Sequence, residues 1–237
     1  MSNISNIWNE KIIFSPSLIC LDMCNLENQV RLLEENEIKL LHIDILDGHF
    51  SPSMPLGLDT VRQLRAKTNI EFDCHVMTTQ QDFFINELLD IGVSQITFHV
   101  ETQPHIDGML NRIHSNGVRA GVALKPATPL STLDYILEKC DCVLLMLINP
   151  GYAFVKNEKQ VPYSQRKIQE LRSLISSRNL NTKIELDGRI STQNIIDWGK
   201  DLADIFVTGS TCLKRDNLSE SLKSLNSLRK NILQEAK

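Results

Sequence analysis

The sequence predicts an α/β fold, a single (β/α)8 TIM barrel. Short apolar runs alternate about eight times with longer amphipathic stretches along the 237 residues. The apolar runs are nearly continuous, which is typical of parallel strands buried on both faces. Eight strand–helix units in about 225 residues match the size of this barrel.

The apolar runs predict the strands. They are expected at residues 12–20, 40–45, 70–77, 95–100, 119–124, 142–148, 183–186 and 204–207. Pro126, Pro129 and Pro150 lie just past strand ends, where a missing N–H does not interrupt a sheet.

The amphipathic stretches predict the helices. In the first, Leu26 and Val30 share one face, and Asn25 is expected to cap the N-terminus. Gly92 and Gly117 are expected to end the third and fourth helices. The helices are expected at residues 25–38, 58–65, 80–91, 105–116, 131–138, 164–177, 192–198 and 219–234.

A doubly wound open sheet is the alternative fold. It usually has fewer strands and a glycine-rich first turn, whereas residues 21–24 contain no glycine. The sequence shows no linker or low-complexity tract. We therefore predict one barrel domain at residues 11–237, after an N-terminal extension at residues 1–10.

Composition and charge bound the function. The net charge of −4 gives no electrostatic basis for a nucleic-acid partner. Residues 1–9 lack the apolar core of a signal peptide, and no apolar run approaches the ~20 residues of a membrane span. The six cysteines form no CxxC pair and are expected to be free thiols. These features predict a cytoplasmic protein without a membrane partner.

The second predicted strand ends with two polar side chains. His42 and Asp44 are two residues apart, so they point to one face, while Ile43 and Ile45 point to the other. In a barrel the C-terminal strand ends carry the active site. An inward His and Asp need a partner, because an unpaired buried charge is costly.

Two more strand ends add similar side chains. His75 lies near the end of the third strand, and Asp187 closes the seventh. A lone strand histidine is more often structural, and a strand-end aspartate often caps a helix; the residues alone leave these interpretations open. The alternative is a site for Zn²⁺, Fe²⁺, Mn²⁺ or Co²⁺. Its ligands would be His42, Asp44, His75 and Asp187.

Glycines after the last strands suggest phosphate binding. Gly209 and Ser210 follow the eighth strand, where barrels often bind phosphate at a helix N-terminus. Gly188 could add a backbone amide, and Gly151 could start a mobile loop over the mouth. Each glycine could equally be a simple turn residue.

Several motifs together resemble the ribulose-phosphate 3-epimerase family over residues 15–213. They occur in the family's order at the expected barrel positions. The motifs are SPSL from Ser15, HIDILDGHF from His42, DCHVM from Asp73, ATPL from Ala127, LLM from Leu144, NPG from Asn149, LDG from Leu186 and GS from Gly209.

The resemblance implies a (β/α)8 barrel that inverts C3 of a ketose phosphate through an enediolate. The default reaction is D-ribulose 5-phosphate to D-xylulose 5-phosphate. Asp44 and Asp187 match the acid/base positions, and one divalent ion is implied at the four ligands named above. The expected substrate-binding residues are Ser17, His75, Met77, Met146, Gly151, Gly188, Arg189, Gly209 and Ser210.

The chain departs from the family pattern at the phosphate end. The family usually has two glycines where this chain has Ala153 and Phe154, and a third where it has Arg189. The Arg189 guanidinium could bind the phosphate or point to solvent.

Other functions stay open. A D-allulose 6-phosphate 3-epimerase is the runner-up, since an altered loop could admit a longer sugar. A phosphate-binding barrel decarboxylase is disfavoured because no lysine lies among Asp44, Asp47 and Asp73. A non-catalytic paralogue is disfavoured because all four candidate ligands are present. A small sugar phosphate and a second copy of the chain, in a homo-oligomer, are the expected partners.

Overall fold

The computed structural model describes residues 7–152, 155 and 157–235. Ala153 and Phe154, the two departures in the expected mobile loop, lie outside the described residues. Within the described part of the chain, no helix is long and apolar enough to cross a membrane.

Eight parallel strands form one sheet in the order β1-β8-β7-β6-β5-β4-β3-β2, which confirms the predicted barrel. A parallel bridge between Ser17 and His42 brings the two ends of this sheet together. The strands are β1 Ile13–Pro16, β2 Leu40–Leu46, β3 Glu71–Met77, β4 Gln95–His99, β5 Arg119–Leu124, β6 Cys142–Met146, β7 Lys183–Asp187 and β8 Ile205–Thr208.

Helices follow most strands and cover the outside of the barrel. Their apolar faces pack on the outward side chains of the strands in one large core cluster. The α-helices of the described residues are α1 Leu26–Glu35, α2 Leu58–Arg65, α3 Gln81–Ile91, α4 Ile106–Ser115, α5 Ser164–Ser177, α6 Thr192–Trp198 and α7 Leu218–Glu235.

The helix predicted at residues 131–138 is wrong. Two short 3-10 helices, Leu130–Leu133 and Leu137–Lys139, connect β5 to β6 instead. The carbonyl of Asp134, which an α-helix would use internally, accepts a hydrogen bond from the Arg178 guanidinium at 2.8 Å. Leu133 and Leu137 remain fully buried, so the apolar spacing is kept without the helix.

Three local predictions have different outcomes. The first strand is shorter than predicted, because Leu18–Cys20 turns into a 3-10 helix after Pro16. Asn25 occupies the N-cap position of α1 as predicted, but its side chain accepts a hydrogen bond from the Asn28 side-chain amide at 2.6 Å and makes no cap bond. Gly92 ends α3 with φ of 80°, as expected for a left-handed C-cap.

The N-terminal turn covers one mouth of the barrel. Ile7, in the 3-10 helix Ile7–Asn9, is buried against the first residues of four strands. These are Ile13, Leu40, Cys142 and Ile205. The amino ends of the strands are thereby closed, and the carboxyl ends are left for the functional site. The domain boundary at residues 10 and 11 stays a prediction.

Candidate active site

Neighbouring strands bring the four predicted metal ligands together. Asp44 of β2 is in register with His75 of β3, and Asp187 ends β7. His42 and His75 are fully buried, Asp44 is almost so, and Asp187 is partly exposed at the mouth. Ile43 faces the helices, as the alternation of the strand requires.

The ligand atoms of His42, Asp44, His75 and Asp187 all lie within 4.8 Å of one another. Asp44 Oδ1 is 3.4 Å from His42 Nε2 and 3.7 Å from His75 Nδ1. Asp187 Oδ2 is 3.8 Å from the same His75 nitrogen. Both ring nitrogens are buried without a hydrogen-bond partner among the described residues. Two unpartnered imidazole nitrogens beside two carboxylates fit a divalent cation.

A buried acidic pair holds the other side of the His42 ring. His42 Nδ1 lies 2.8 Å from Asp73 Oδ2 and 3.2 Å from Glu185 Oε1. Gln95 donates to Asp73 Oδ1 at 2.9 Å. Carboxylates behind a ligating histidine fix its orientation and tautomer.

Sequence reasoning missed Glu185. It lies two residues before Asp187 on the same inward face of β7, which is the spacing of His42 and Asp44. This two-residue spacing could have identified Glu185 from the sequence. An acidic side chain inside an apolar strand needs a polar partner, and here the partner is the His42 ring.

The His75 ring is held by a second pair that sequence reasoning also missed. Its Nε2 lies 3.0 Å from His99 Nε2, at the end of β4. His99 Nδ1 is in turn 2.8 Å from Glu101 Oε2. Each of the two pairs contacts one nitrogen of a ligating ring. The other nitrogen of each ring faces the metal-site carboxylates, Asp44 and Asp187.

The electrostatic environment shifts the pKa values of the two acid/base candidates, Asp44 and Asp187, in opposite directions. Burial raises the pKa of Asp187, and the charge on Asp44 raises it further. Burial acts the same way on Asp44, but the positive charge of the adjacent His42 ring holds its pKa below the ordinary value. Two carboxyls with separated pKa values are the usual basis for paired acid and base roles.

The pKa of His42 is itself raised well above its ordinary value. Burial alone would lower it, but the negative charge of Asp44 and the nearby carboxylates of Asp73 and Glu185 outweigh burial. A cation that binds His42 Nε2 would have to displace this proton.

A cavity opens above this cluster at the carboxyl ends of the strands. Ser17 lies in its wall and donates to Asp44 Oδ2 at 2.8 Å. Of the expected substrate-binding residues, His75 lies beneath the cavity in the cluster. The wall contains the others: Ser17, Met77, Met146, Gly151, Gly188, Arg189, Gly209 and Ser210. It also contains Cys20 and Ile148, which the sequence did not suggest.

The β7 turn places Gly188 and Arg189 in the wall of the cavity. Gly188 has φ of 116°, and a Cβ there would lie 2.9 Å from the backbone nitrogen of Ile148. The Arg189 guanidinium donates to the Val155 carbonyl at 2.8 Å. Gln160 donates to the carbonyl oxygens of Gly188 and Arg189 at 2.9 and 3.2 Å and so holds the turn.

After Gly209 and Ser210 the chain turns, and the next α-helix, α7, begins at Leu218, one residue before its predicted start. The Gly209 carbonyl accepts the N–H groups of Cys212 and Leu213, which closes a turn. A 3-10 helix, Arg215–Asn217, then precedes α7. Gly209 and Ser210 therefore precede a turn and not the first residue of an α-helix, and both residues line the cavity.

The comparisons with known proteins agree with this geometry. A family model described as "Ribulose-phosphate 3 epimerase family" matches residues 13–213, which is most of the chain. The chain belongs to the ribulose-phosphate 3-epimerase family. It is therefore an epimerase, a kind of isomerase.

Relatives within this epimerase family match almost end to end. A protein named ribulose-phosphate 3-epimerase from Buchnera aphidicola subsp. Acyrthosiphon pisum (strain APS) is 35% identical over 208 residues, covering 87% of this chain and 90% of the relative. The protein of the same name from Escherichia coli (strain K12) is 30% identical over 219 residues, covering 92% and 96%.

Among solved structures, the fold is similar to that of KGPDC from Streptococcus mutans. The TM-score is 0.73 at 11% sequence identity, with 94% of this chain and 99% of that chain covered. At this identity the likeness shows the barrel fold alone.

Proposed function

We propose that this epimerase inverts C3 of D-ribulose 5-phosphate to give D-xylulose 5-phosphate, with the help of one divalent metal ion. The observation that carries the proposal is the cluster itself. His42 Nε2 and His75 Nδ1, both without hydrogen-bond partners among the described residues, face Asp44 and Asp187 at the mouth of the barrel. Family membership supplies the substrate class.

The four clustered residues would hold the metal. Two imidazoles and two carboxylates suit Zn²⁺, Fe²⁺, Mn²⁺ or Co²⁺. When bound, the ion would stabilise the negative charge that develops on the substrate oxygens when C3 loses its proton.

Asp44 and Asp187 would move the protons. One carboxylate takes the proton from C3, and the other carboxylic acid returns a proton to the opposite face of the same carbon. The separated pKa directions of the two aspartates support this division into a base and an acid. The hydroxyl of Ser17, which donates to Asp44 at 2.8 Å, would orient that carboxylate.

The remaining wall residues would bind the sugar and its phosphate. Met77 and Met146 line the same cavity as the two aspartates, with only 3% of the surface of each exposed, and would exclude water without supplying a competing proton. Gly188, Gly209 and Ser210, which also line the cavity, would hold the phosphate.

Location and assembly complete the proposal. The six cysteines are free thiols, which is typical of a reducing compartment and supports a cytoplasmic location. The expected homo-oligomer stays a prediction, which sedimentation of the purified protein would test.

A chelator experiment tests the reaction. Purified protein is stripped of metal, then assayed with D-ribulose 5-phosphate and with D-allulose 6-phosphate, before and after addition of Mn²⁺ or Zn²⁺. We expect turnover of the pentose phosphate that disappears on stripping and returns with metal. Turnover that is insensitive to the chelator would contradict the metal-dependent reaction. Preferred turnover of D-allulose 6-phosphate would show that this hexose phosphate, and not D-ribulose 5-phosphate, is the substrate.

A further inference from the structure

His75 has two ring nitrogens with different surroundings. Nδ1 faces Asp44 and Asp187 and is buried without a hydrogen-bond partner among the residues that the structure describes. Nε2 faces the other way, 3.0 Å from His99 Nε2. A neutral imidazole carries a hydrogen on only one nitrogen. His75 therefore presents a lone pair to the cluster only if its hydrogen lies on Nε2, between the two rings.

Glu101 determines where that hydrogen lies. Its Oε1 accepts hydrogen bonds from the backbone N–H of Lys125, at 2.7 Å, and from the hydroxyl of Thr128. The Glu101 carboxylate therefore acts as a hydrogen-bond acceptor. Its Oε2 lies 2.8 Å from His99 Nδ1, which must then carry a hydrogen. In neutral His99 the other nitrogen, Nε2, is an acceptor, and it accepts the N–H from His75 Nε2.

We propose that Glu101 is a positioning residue which, through His99, fixes the tautomer of His75 and keeps the Nδ1 lone pair directed at the metal centre. The inference rests on the proposed metal-dependent function. Neither Glu101 nor His99 is among the described residues that line the cavity. Both therefore act on the reaction through His75 and without touching the substrate.

A loop beyond β5 holds Glu101 in place. Lys167, on α5, donates from Nζ to three backbone carbonyls of this loop. The acceptors are the oxygens of Lys125 at 2.9 Å, Pro126 at 2.9 Å and Thr128 at 2.7 Å. The same loop presents the N–H of Lys125 and the hydroxyl of Thr128 to Glu101. The orientation of the carboxylate is thus set by backbone geometry.

Packing holds the His99 ring in the same way. The Phe50 ring lies 4.6 Å from the His99 ring, between centroids, and the Lys125 ammonium lies 4.0 Å from the centre of the Phe50 ring. His99 is fully buried, so water does not replace Glu101 as its partner.

The variant Glu101→Gln tests the inference, because a side-chain amide can donate to His99 Nδ1. His99 Nε2 would then carry the hydrogen, and His75 would accept on Nε2 and carry its own hydrogen on Nδ1. We expect the affinity of metal-stripped protein for Mn²⁺, measured by chelator competition, to fall about 10–100-fold. Saturating Mn²⁺ should restore most of kcat, with little change in KM for the sugar phosphate. Glu138→Gln, which changes an exposed glutamate, is the matched control.

Nitrogen NMR of ¹⁵N-histidine-labelled, metal-stripped wild-type protein gives a test that needs no variant. We expect His75 with hydrogen on Nε2 and His99 with hydrogen on Nδ1. The opposite tautomers, or wild-type Mn²⁺ affinity in a folded Glu101→Gln protein, would overturn the role of Glu101 alone. Wild-type protein that binds no Mn²⁺ would overturn the proposed function as well, and that result separates the two failures.

Discussion

Asp73 Oδ2 lies 2.8 Å from His42 Nδ1, and the two residues are register partners on neighbouring strands. The contact is fully buried beneath the cluster. The carboxylate accepts the hydrogen bond of the Nδ1–H group. The other ring nitrogen, Nε2, therefore faces Asp44. The strand pairing that builds the barrel therefore also orients a candidate metal ligand.

Replacing this carboxylate should weaken metal binding. In Asp73→Asn the amide keeps the size of the side chain but loses the charge that supports His42. We expect the Mn²⁺ affinity of the metal-stripped protein to fall about 10–100-fold, measured by chelator competition. Asp201→Asn, which changes an exposed aspartate, is the control. Equal affinities for the two variants would show that Asp73 does not tune His42.

Metal binding should depend on pH through His42. Its raised pKa means that the metal-free protein holds a proton which the cation displaces. We expect release of about one proton per metal and an apparent affinity that rises about tenfold per pH unit while His42 is protonated. Calorimetry in buffers of different ionisation enthalpy measures the proton count. An affinity independent of pH from about 6 to 8 would show that His42 is already neutral.

The proton on His42 should also make the stability of the metal-stripped protein depend on pH. This stability should fall as the pH rises, whereas the metal affinity should rise. The pKa of His42 is higher in the folded state than its unfolded value of about 6.5. Its stabilising contribution is therefore complete below that unfolded value and is lost as the pH rises through the folded pKa. Urea unfolding of stripped protein should show a free energy of unfolding that declines above about pH 6.5. Excess Mn²⁺ should reverse the decline, since the metal then takes the place of the proton.

Strand patterning predicted that the four candidate metal ligands lie together, because their placement depends on local rules. Alternation fixes which side chains of β2 point inward, and a barrel sets all strand ends at one mouth. His42, Asp44, His75 and Asp187 could thus be placed from the sequence. The pairing of His99 with Glu101 could not, because it depends on how the chain turns after β4.

The wrong prediction of a helix at residues 131–138 has a similar cause. Its apolar spacing fits a helix, and Leu133 and Leu137 are buried as that spacing requires. A guanidinium from the distant Arg178 takes the Asp134 carbonyl and favours two tighter turns. Contacts between residues far apart in the sequence decide such details, and local propensity does not contain them.

Removing one aspartate should separate proton removal from inversion. In Asp187→Asn, Asp44 still reaches one face of C3, while the acid for the other face is lost. We expect epimerisation to fall about 100–10,000-fold. Exchange of the C3 hydrogen with deuterium from heavy water should continue for one of the two sugar epimers, as measured by NMR of the recovered substrate. Near-normal epimerisation in a folded, metal-loaded variant would show that Asp187 is not part of the acid/base pair.

A methyl group at the β7 turn should damage the cavity wall. Gly188 has φ of 116°, and a Cβ there would meet Ile148 at 2.9 Å. We expect Gly188→Ala to lower the free energy of unfolding by about 1–3 kcal/mol, measured by urea denaturation, because it combines a strained backbone with this overlap. Gly108→Ala in α4 is the matched control, since no atom lies within 4 Å of its added Cβ. That change should raise the free energy by about 0.5–1 kcal/mol. If both variants were equally stable, the turn would have to tolerate a side chain, and the close approach of Gly188 to Ile148 would not constrain the phosphate end of the site.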